Sequence, residues 1–412
     1  FLPGQRLAGV SDMASLTRRG FGLAGMGALA SAGAVRPAGA SNLLNPLTSP
    51  RGTTYPGRVR LKQIASVDLR GQGDAFSWSV SSMAWSPDGT RLVAVNGLGN
   101  FLNVIDASTW RLLVRFRVMR ADTRRTFGFS ASGRELIASK RVEPGSDENP
   151  PAFSVFEMDT GRIVREAQLL PISIPELQGK PKELALQQRR GDQKLSVSPD
   201  GRFVFLSFEV RGPGPNQFAY VFDGHNGQLV GASRSRSWSV PSISLDNRLG
   251  VTTLSPQANV VPDEVTIFSL PELKKILSFQ AHPRGVESLA WSPNGERLAS
   301  GSSATVPTGD PEPIRVWDAA SGARLAGFVG EFEPVGDVAW HPSGRFFLSK
   351  SAKGTGERGS LLQLLSADGG TPLLQNFAPD RVVITGSCFC PRTGHLAWHE
   401  RGRILVHEIQ GI

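Results

Sequence analysis

The chain has 412 residues and a formal net charge of +9, with 40% hydrophobic and 20% charged residues, an ordinary globular balance. Glycine (46) and proline (29) are both abundant, which disfavours a helical bundle and favours short strands joined by tight turns. Two cysteines exclude a disulfide framework. No basic stripe interleaved with aromatics marks a nucleic-acid surface, and no charge-free run of 18 apolar residues lies beyond the N-terminal region.

In chain order, residues 1–40 come first, with Arg6, Arg18, Arg19 and Arg36 against Asp12. Thr17-Arg18-Arg19-Gly20-Phe21-Gly22-Leu23 resembles the twin-arginine export motif of bacteria, with Phe21 two places after the second arginine. A weakly apolar Gly/Ala stretch runs from Gly22 to Val35, and Ala38-Gly39-Ala40 reads as a small-residue cleavage site. A structural helix here would carry Gly22, Gly25, Gly27 and Gly33, each costing roughly 1 kcal/mol relative to alanine. The expectation is therefore a signal segment over 1–40, with Met13 as an alternative start, and export to the periplasm. Gly20-x-Gly22-x-x-Gly25 matches the dinucleotide fingerprint, but two arginines precede it and the next acidic residue is Asp68, so it lacks the strand and the acidic partner that such a site needs. Residues 41–58, rich in Pro, Ser, Thr and Gly, read as a linker.

From residue 59 the chain repeats. Met83-Ala84-Trp85-Ser86-Pro87-Asp88-Gly89 recurs as Leu289-Ala290-Trp291-Ser292-Pro293-Asn294-Gly295, Val338-Ala339-Trp340-His341-Pro342-Ser343-Gly344 and Leu195-Ser196-Val197-Ser198-Pro199-Asp200-Gly201. Weaker copies surround Phe129 to Gly133 and Phe389 to Gly394, and Ile243-Ser244-Leu245-Asp246-Asn247 has Asn in the Gly slot. Each unit reads as an apolar strand, a tight turn and a second strand. Pro presets φ, Asp or Asn closes an Asx turn, and Gly supplies φ > 0. Asn is the best substitute for Gly there. The turns fall at 89, 133, 201, 247, 295, 344 and 394. One spacing is long and contains a non-repeat insertion at about 165–193. Third strands such as Val316-Trp317-Asp318 and fourth strands such as Arg324-Leu325-Ala326-Gly327-Phe328 complete the unit.

Four strands per repeat of this length make one propeller blade. The Val-Trp-Asp and the Ser-Pro-Asp-Gly turns resemble those of WD-repeat β-propellers. The resemblance implies an all-β, seven-bladed propeller of four-stranded antiparallel blades over 59–412. The last blade stops at its third strand near Ile409, so the unassigned strand at 59–69 is expected to complete it and close the ring. The family's His–Ser–Asp–Trp network within a blade is nearly absent. Only Ala281-His282 before Trp291 and Trp317 is similar to it, and its Asp-bearing tight turn is replaced by a long loop.

Signs of catalysis are few. There is no Gly-x-Ser-x-Gly elbow, no Cys-x-x-Cys-His, and no Walker A or EF-hand loop. His395 and His399 are expected on one strand, about 13 Å apart, too far to share a metal as adjacent ligands. Cys388 and Cys390 read as buried small side chains. No cofactor, metal ligand or catalytic residue is assigned.

Length varies mainly between second and third strands, over roughly 140–151, 208–217, 255–263, 302–313 and 350–359, and in the insertion. In WD-repeat propellers these loops share one face. Lys140, Arg141, Arg211, Lys350, Lys353 and Arg358, with acidic residues that include Asp263, Glu264, Asp310 and Glu312, are expected there. Long loops on a rigid scaffold are where binding usually resides. The sequence thus points to a monomeric, non-catalytic, exported scaffold that binds a protein or another envelope component and meets the membrane only through its signal. The alternative is an exported propeller enzyme, lactonase-like or quinoprotein-like, with a site at the central channel.

Overall fold

A computed structural model describes residues 59–69, 80–96, 101–117, 127–138, 151–168, 194–209, 217–235, 239–253, 263–283, 285–303, 310–329, 334–352, 359–377 and 383–411. These residues form 28 strands in seven four-stranded antiparallel sheets. Blade 1 comprises β2 (Val80–Trp85), β3 (Arg91–Asn96), β4 (Phe101–Asp106) and β5 (Leu112–Arg117). Blade 2 comprises β6 (Phe127–Phe129), β7 (Glu135–Ala138), β8 (Pro151–Glu157) and β9 (Ile163–Gln168). Blade 3 comprises β10 (Lys194–Val197), β11 (Phe203–Glu209), β12 (Gln217–Asp223) and β13 (Leu229–Ser235). Blade 4 comprises β14 (Ser239–Ile243), β15 (Arg248–Thr253), β16 (Asp263–Ser269) and β17 (Lys275–His282). Blade 5 comprises β18 (Val286–Trp291), β19 (Arg297–Ser302), β20 (Ile314–Asp318) and β21 (Arg324–Phe328). Blade 6 comprises β22 (Val335–Trp340), β23 (Phe346–Ala352), β24 (Ser360–Ser366) and β25 (Leu374–Phe377). Blade 7 joins the two ends of the chain: β26 (Ile384–Phe389), β27 (Leu396–Glu400) and β28 (Arg403–Gln410) take β1 (Arg60–Asp68) as outer strand. Arg60 pairs with Gln410 and Asp68 with Arg403. The seven-bladed propeller and its closure by the N-terminal strand are as the repeat predicts. One boundary moves: Arg165–Gln168, expected in the insertion, belong to β9.

The recurrent motif is explained by its turn. The Ser86 hydroxyl donates to Asp88 Oδ1 (2.6 Å) and accepts from Arg91 N–H (2.9 Å). Ser198 repeats this with Asp200 and Phe203, and Ser292 with Asn294 and Arg297. All seven turn residues, Asn247 included, have φ between +61° and +74°. They also seat each blade on the one before. A side chain at Gly201 would fall on the Ala131 backbone nitrogen, and one at Gly89 would lie 2.9 Å from Cys390 Sγ. Asn247 instead uses its amide, donating to Asp200 Oδ2 (3.0 Å). The degenerate repeat therefore keeps both the backbone conformation and the contact.

The core lies between blades. Trp85, Phe129, Val197, Ile243, Trp291, Trp340 and Phe389 end their inner strands, each paired with the residue that opens or nearly opens the next strand. Trp340 Nε1 donates to Ala290 O of blade 5 (3.0 Å), and Trp291 Nε1 to Ser242 O of blade 4 (2.9 Å). The slots of blades 5 and 6 thus combine apolar burial with an inter-blade hydrogen bond, while the others rest on packing alone. Burial of such a side chain stabilises by roughly 1.5–3 kcal/mol.

Candidate functional site

The strand order divides the connections between two faces. Links from first to second strands and from third to outer strands share one end of every blade. Links from second to third strands, and from blade to blade, share the other. The first set is short and uniform, its longest member spanning 367–373. The second set contains 139–150, 169–193, 254–262 and 303–313. The excess length therefore collects on one face. Two equivalent ion pairs brace the short-turn face: Arg91 reaches Asp159 of the next blade (3.4 Å), and Arg297 reaches Asp368 of the next blade (2.8 Å).

The predicted binding residues Lys140, Arg141, Arg211, Lys353 and Arg358 lie outside the described residues. The strands that flank them end on the loop-bearing face. The signal residues Thr17, Arg18, Arg19, Phe21 and Leu23, and the cleavage-site residues Ala38 and Ala40, also lie outside the described residues.

Three charges expected in the loops sit elsewhere. Lys350 is within β23, and its ammonium donates to Thr385 O of blade 7 (3.1 Å). Asp263 and Glu264 belong to β16. A fourth, Asp310, is not a surface charge: it is 5% exposed and anchors the end of the 303–313 link. His282 is likewise buried, which lowers its pKa and keeps the ring neutral. Its Nδ1–H donates to Asp310 Oδ2 (2.5 Å), while Ser300 Oγ–H donates to Nε2 (2.8 Å) and accepts from Trp317 Nε1–H (2.8 Å). Arg315 and the Glu312 N–H donate to Asp310 Oδ1 (2.6 and 3.0 Å). The four-residue network that the sequence left incomplete is therefore whole, with His282 from the end of β17 in blade 4 and Ser300, Trp317 and Asp310 from blade 5. The long link supplies the carboxylate in place of a tight turn. Its Ser–His–Asp order is that of a hydrolase triad, but Ser300 is fully buried and its hydroxyl already accepts from Trp317. The network holds structure.

Blade 7 places different rings in the corresponding slots. Trp398 occupies the position of Ser300 and His407 that of Trp317, and the two rings stack at 3.8 Å and 6°. Burial takes His407 to a pKa of about 4, and the same holds for His399, whose Nδ1 pairs with Thr385 Oγ1 (2.8 Å). His395, expected on the same strand as His399, lies in the turn before β27.

Towards the channel, Ser387 donates to Asp337 Oδ2 of blade 6 (3.1 Å). Burial, with the Asp337 carboxylate and Cys390 beside it, pushes the Cys388 thiol well up, so it stays protonated. Cys390 is buried. Among the described residues, no group of three His, Cys, Asp or Glu side chains could hold a metal ion.

No curated protein matches the chain. Residues 273–306 match the family described as WD domain, G-beta repeat. The matched span opens just before the outer strand of blade 4 and continues through the first two strands of blade 5, so one sequence repeat bridges two structural blades. Together, this matched repeat and the seven closed four-stranded blades support placing the ring with the WD-repeat β-propellers.

Proposed function

We propose that this protein is an exported, non-catalytic scaffold that binds a protein partner of the bacterial envelope through its loop-bearing face. One observation carries the reading: the connections vary in length on one face, while the opposite face is built from seven interlocked turns. WD-repeat propellers commonly serve as protein-interaction scaffolds, which agrees with it. The mixed charge of the loops suits a protein better than a polyanion, because charges at an interface rim steer encounter and select partners.

The test compares two charge-reversed variants by cross-linking in the periplasm. Changing Arg141, Arg211 and Arg358 together to Glu should reduce the cross-linked complex severalfold. The same change at Arg134, Arg202 and Arg345, exposed on the short turns, should leave it intact. Arg91 is unsuited to the control, since it bonds Asp106 (2.9 Å) and Asp159. Loss of the complex only in the short-turn variant would place binding on the wrong face. Export has its own test: Arg18→Lys with Arg19→Lys should hold the chain in the cytoplasm, and normal secretion of that variant would remove the twin-arginine assignment.

A further inference from the structure

The ring has seven outer strands, and an outer strand is a sheet edge whose outward N–H and C=O groups could template another strand. Six carry the same register shift, and blade 6 has its counterpart in one hydrogen bond just before the strand. In blade 1, Leu112 faces Ile105 and Val114 faces Val104, leaving Leu113 as an extra residue. Val164, Val230, Ile276, Leu325 and Ile64 are the extra residues in blades 2, 3, 4, 5 and 7. In blade 6, Leu374 faces Leu364, and Leu373 N–H also donates to Leu364 O (2.8 Å). In blades 1 to 6 the extra residue stands three places after a residue of positive φ: Trp110, Gly161, Gly227, Leu273, Gly322 and Gly370. The position is therefore fixed by the preceding turn and repeats around the rim.

A bulge of this kind breaks the two-residue repeat of the outward hydrogen-bonding row and adds local twist. What remains beyond it is short: Ala326–Phe328 in blade 5, Leu374–Phe377 in blade 6 and Gly231–Ser235 in blade 3, while in blade 4 a second register shift at Ala281 limits the even run to Leu277–Gln280. Ordinary strands run five to six residues. In blades 1 to 5 and 7 the extra side chains are aliphatic and, from Ile64 (37%) to Ile276 (54%), about half exposed, whereas Leu373 of blade 6 is half-buried against the core.

We propose that these bulges, with the blade 6 counterpart, seal the rim against strand addition, so that neither a second copy of this chain nor an extended segment of a partner pairs with the ring's edges. The inference concerns the rim alone and stands whether or not the loop-bearing face binds a partner.

The test separates the bulge from its side chain. Deleting Leu325 restores an unbroken edge in blade 5, whereas Leu325→Asp keeps the bulge and removes the aliphatic group. By light scattering after gel filtration, wild type and Leu325→Asp should be monomeric, and the deletion variant should associate at least tenfold more strongly. A folded deletion variant that stays monomeric overturns the proposal. So does a wild type that self-associates while Leu325→Asp does not, since the aliphatics would then be the contact. Should the deletion fail to fold, wild type is titrated with a synthetic peptide of residues 312–320, the sequence of β20 and its flanks. No binding is expected, and binding accompanied by new amide protection in β21 overturns the proposal.

Discussion

Replacing Asp310 by Ala is the most direct probe of how a blade with a long second-to-third-strand link holds together. The carboxylate accepts from His282 Nδ1–H, Arg315 and the Glu312 N–H. Its loss leaves a buried imidazole N–H without its acceptor, and a guanidinium only 13% exposed with Ala281 O and the more distant Glu312 carboxylate as its remaining partners. Removing one member of a buried charged pair costs about 3–5 kcal/mol, because the remaining charge is stranded in a poorly solvated site. The assay is urea unfolding followed by tryptophan fluorescence, with Trp317 reporting from the other end of the hydrogen-bonded chain. Asp318→Ala is the matched control, an exposed carboxylate that caps the following turn through Ala320 and Ser321, and its effect should be clearly smaller. The Asp310→Ala, His282→Leu double variant should fall short of additivity by roughly 1–3 kcal/mol, as expected for partners in one network. If Asp310→Ala costs no more than Asp318→Ala, the long link does not hold the blade.

Three further outcomes follow. Deleting residues 41–70 strips the outer strand from blade 7 together with Val59, Val67 and Leu69, each nearly buried. At roughly 1.5–3 kcal/mol per side chain, the melting temperature should drop sharply, and an unchanged melt would exclude closure by β1. Gly344→Ala and Gly201→Ala both force an L-residue to φ near +68°, at about 1–2 kcal/mol. Only the latter also collides with a neighbouring blade, so it should be the more damaging in thermal melts, and equal effects would count against the interlocked turns. Stability should also fall as pH drops from about 6.5 towards 4. His399 and His407 are held neutral by burial at pKa values of about 4, so the unfolded chain binds more protons in that window, at up to about 1.4 kcal/mol per pH unit for each group. Carboxylates with lowered pKa values, such as Asp106 at about 2 where Ser108 and Thr109 bond it, lose their contribution only below about 3.8. His407→Phe should keep the stack on Trp398 and flatten the acid limb; an unchanged limb would show that His407 does not drive it.

The architecture was legible in the sequence because its turns are chemically constrained. A left-handed residue after Pro and Asp, Asn or Ser leaves a signature in four copies, and even Asn247 follows from the same rule. The network between blades 4 and 5 was only half legible. His282 and Trp317 stand at recognisable places, but the 303–313 link offers Asp310 and Glu312 at similar spacing, and only burial selects Asp310. The Trp398–His407 stack was hidden because recognising it requires the register of β27 against β28. The rim bulges were hidden for a related reason: one extra residue reverses the in–out alternation that pattern reading relies on.

The two faces differ in what each tolerates. On the short-turn face a turn residue must fit its own blade's φ and clear the preceding blade's turn, so a change at a position such as Gly201 strains two blades. On the opposite face a link need only return the chain to the next strand. Lengthening a loop costs little, since closure entropy grows slowly with length. Blade 5 shows how far this extends: eleven residues, 303–313, separate its second and third strands, and the link still delivers a carboxylate to His282. In a ring stabilised by contacts between neighbours, that division lets one face vary while the other fixes the position of every blade.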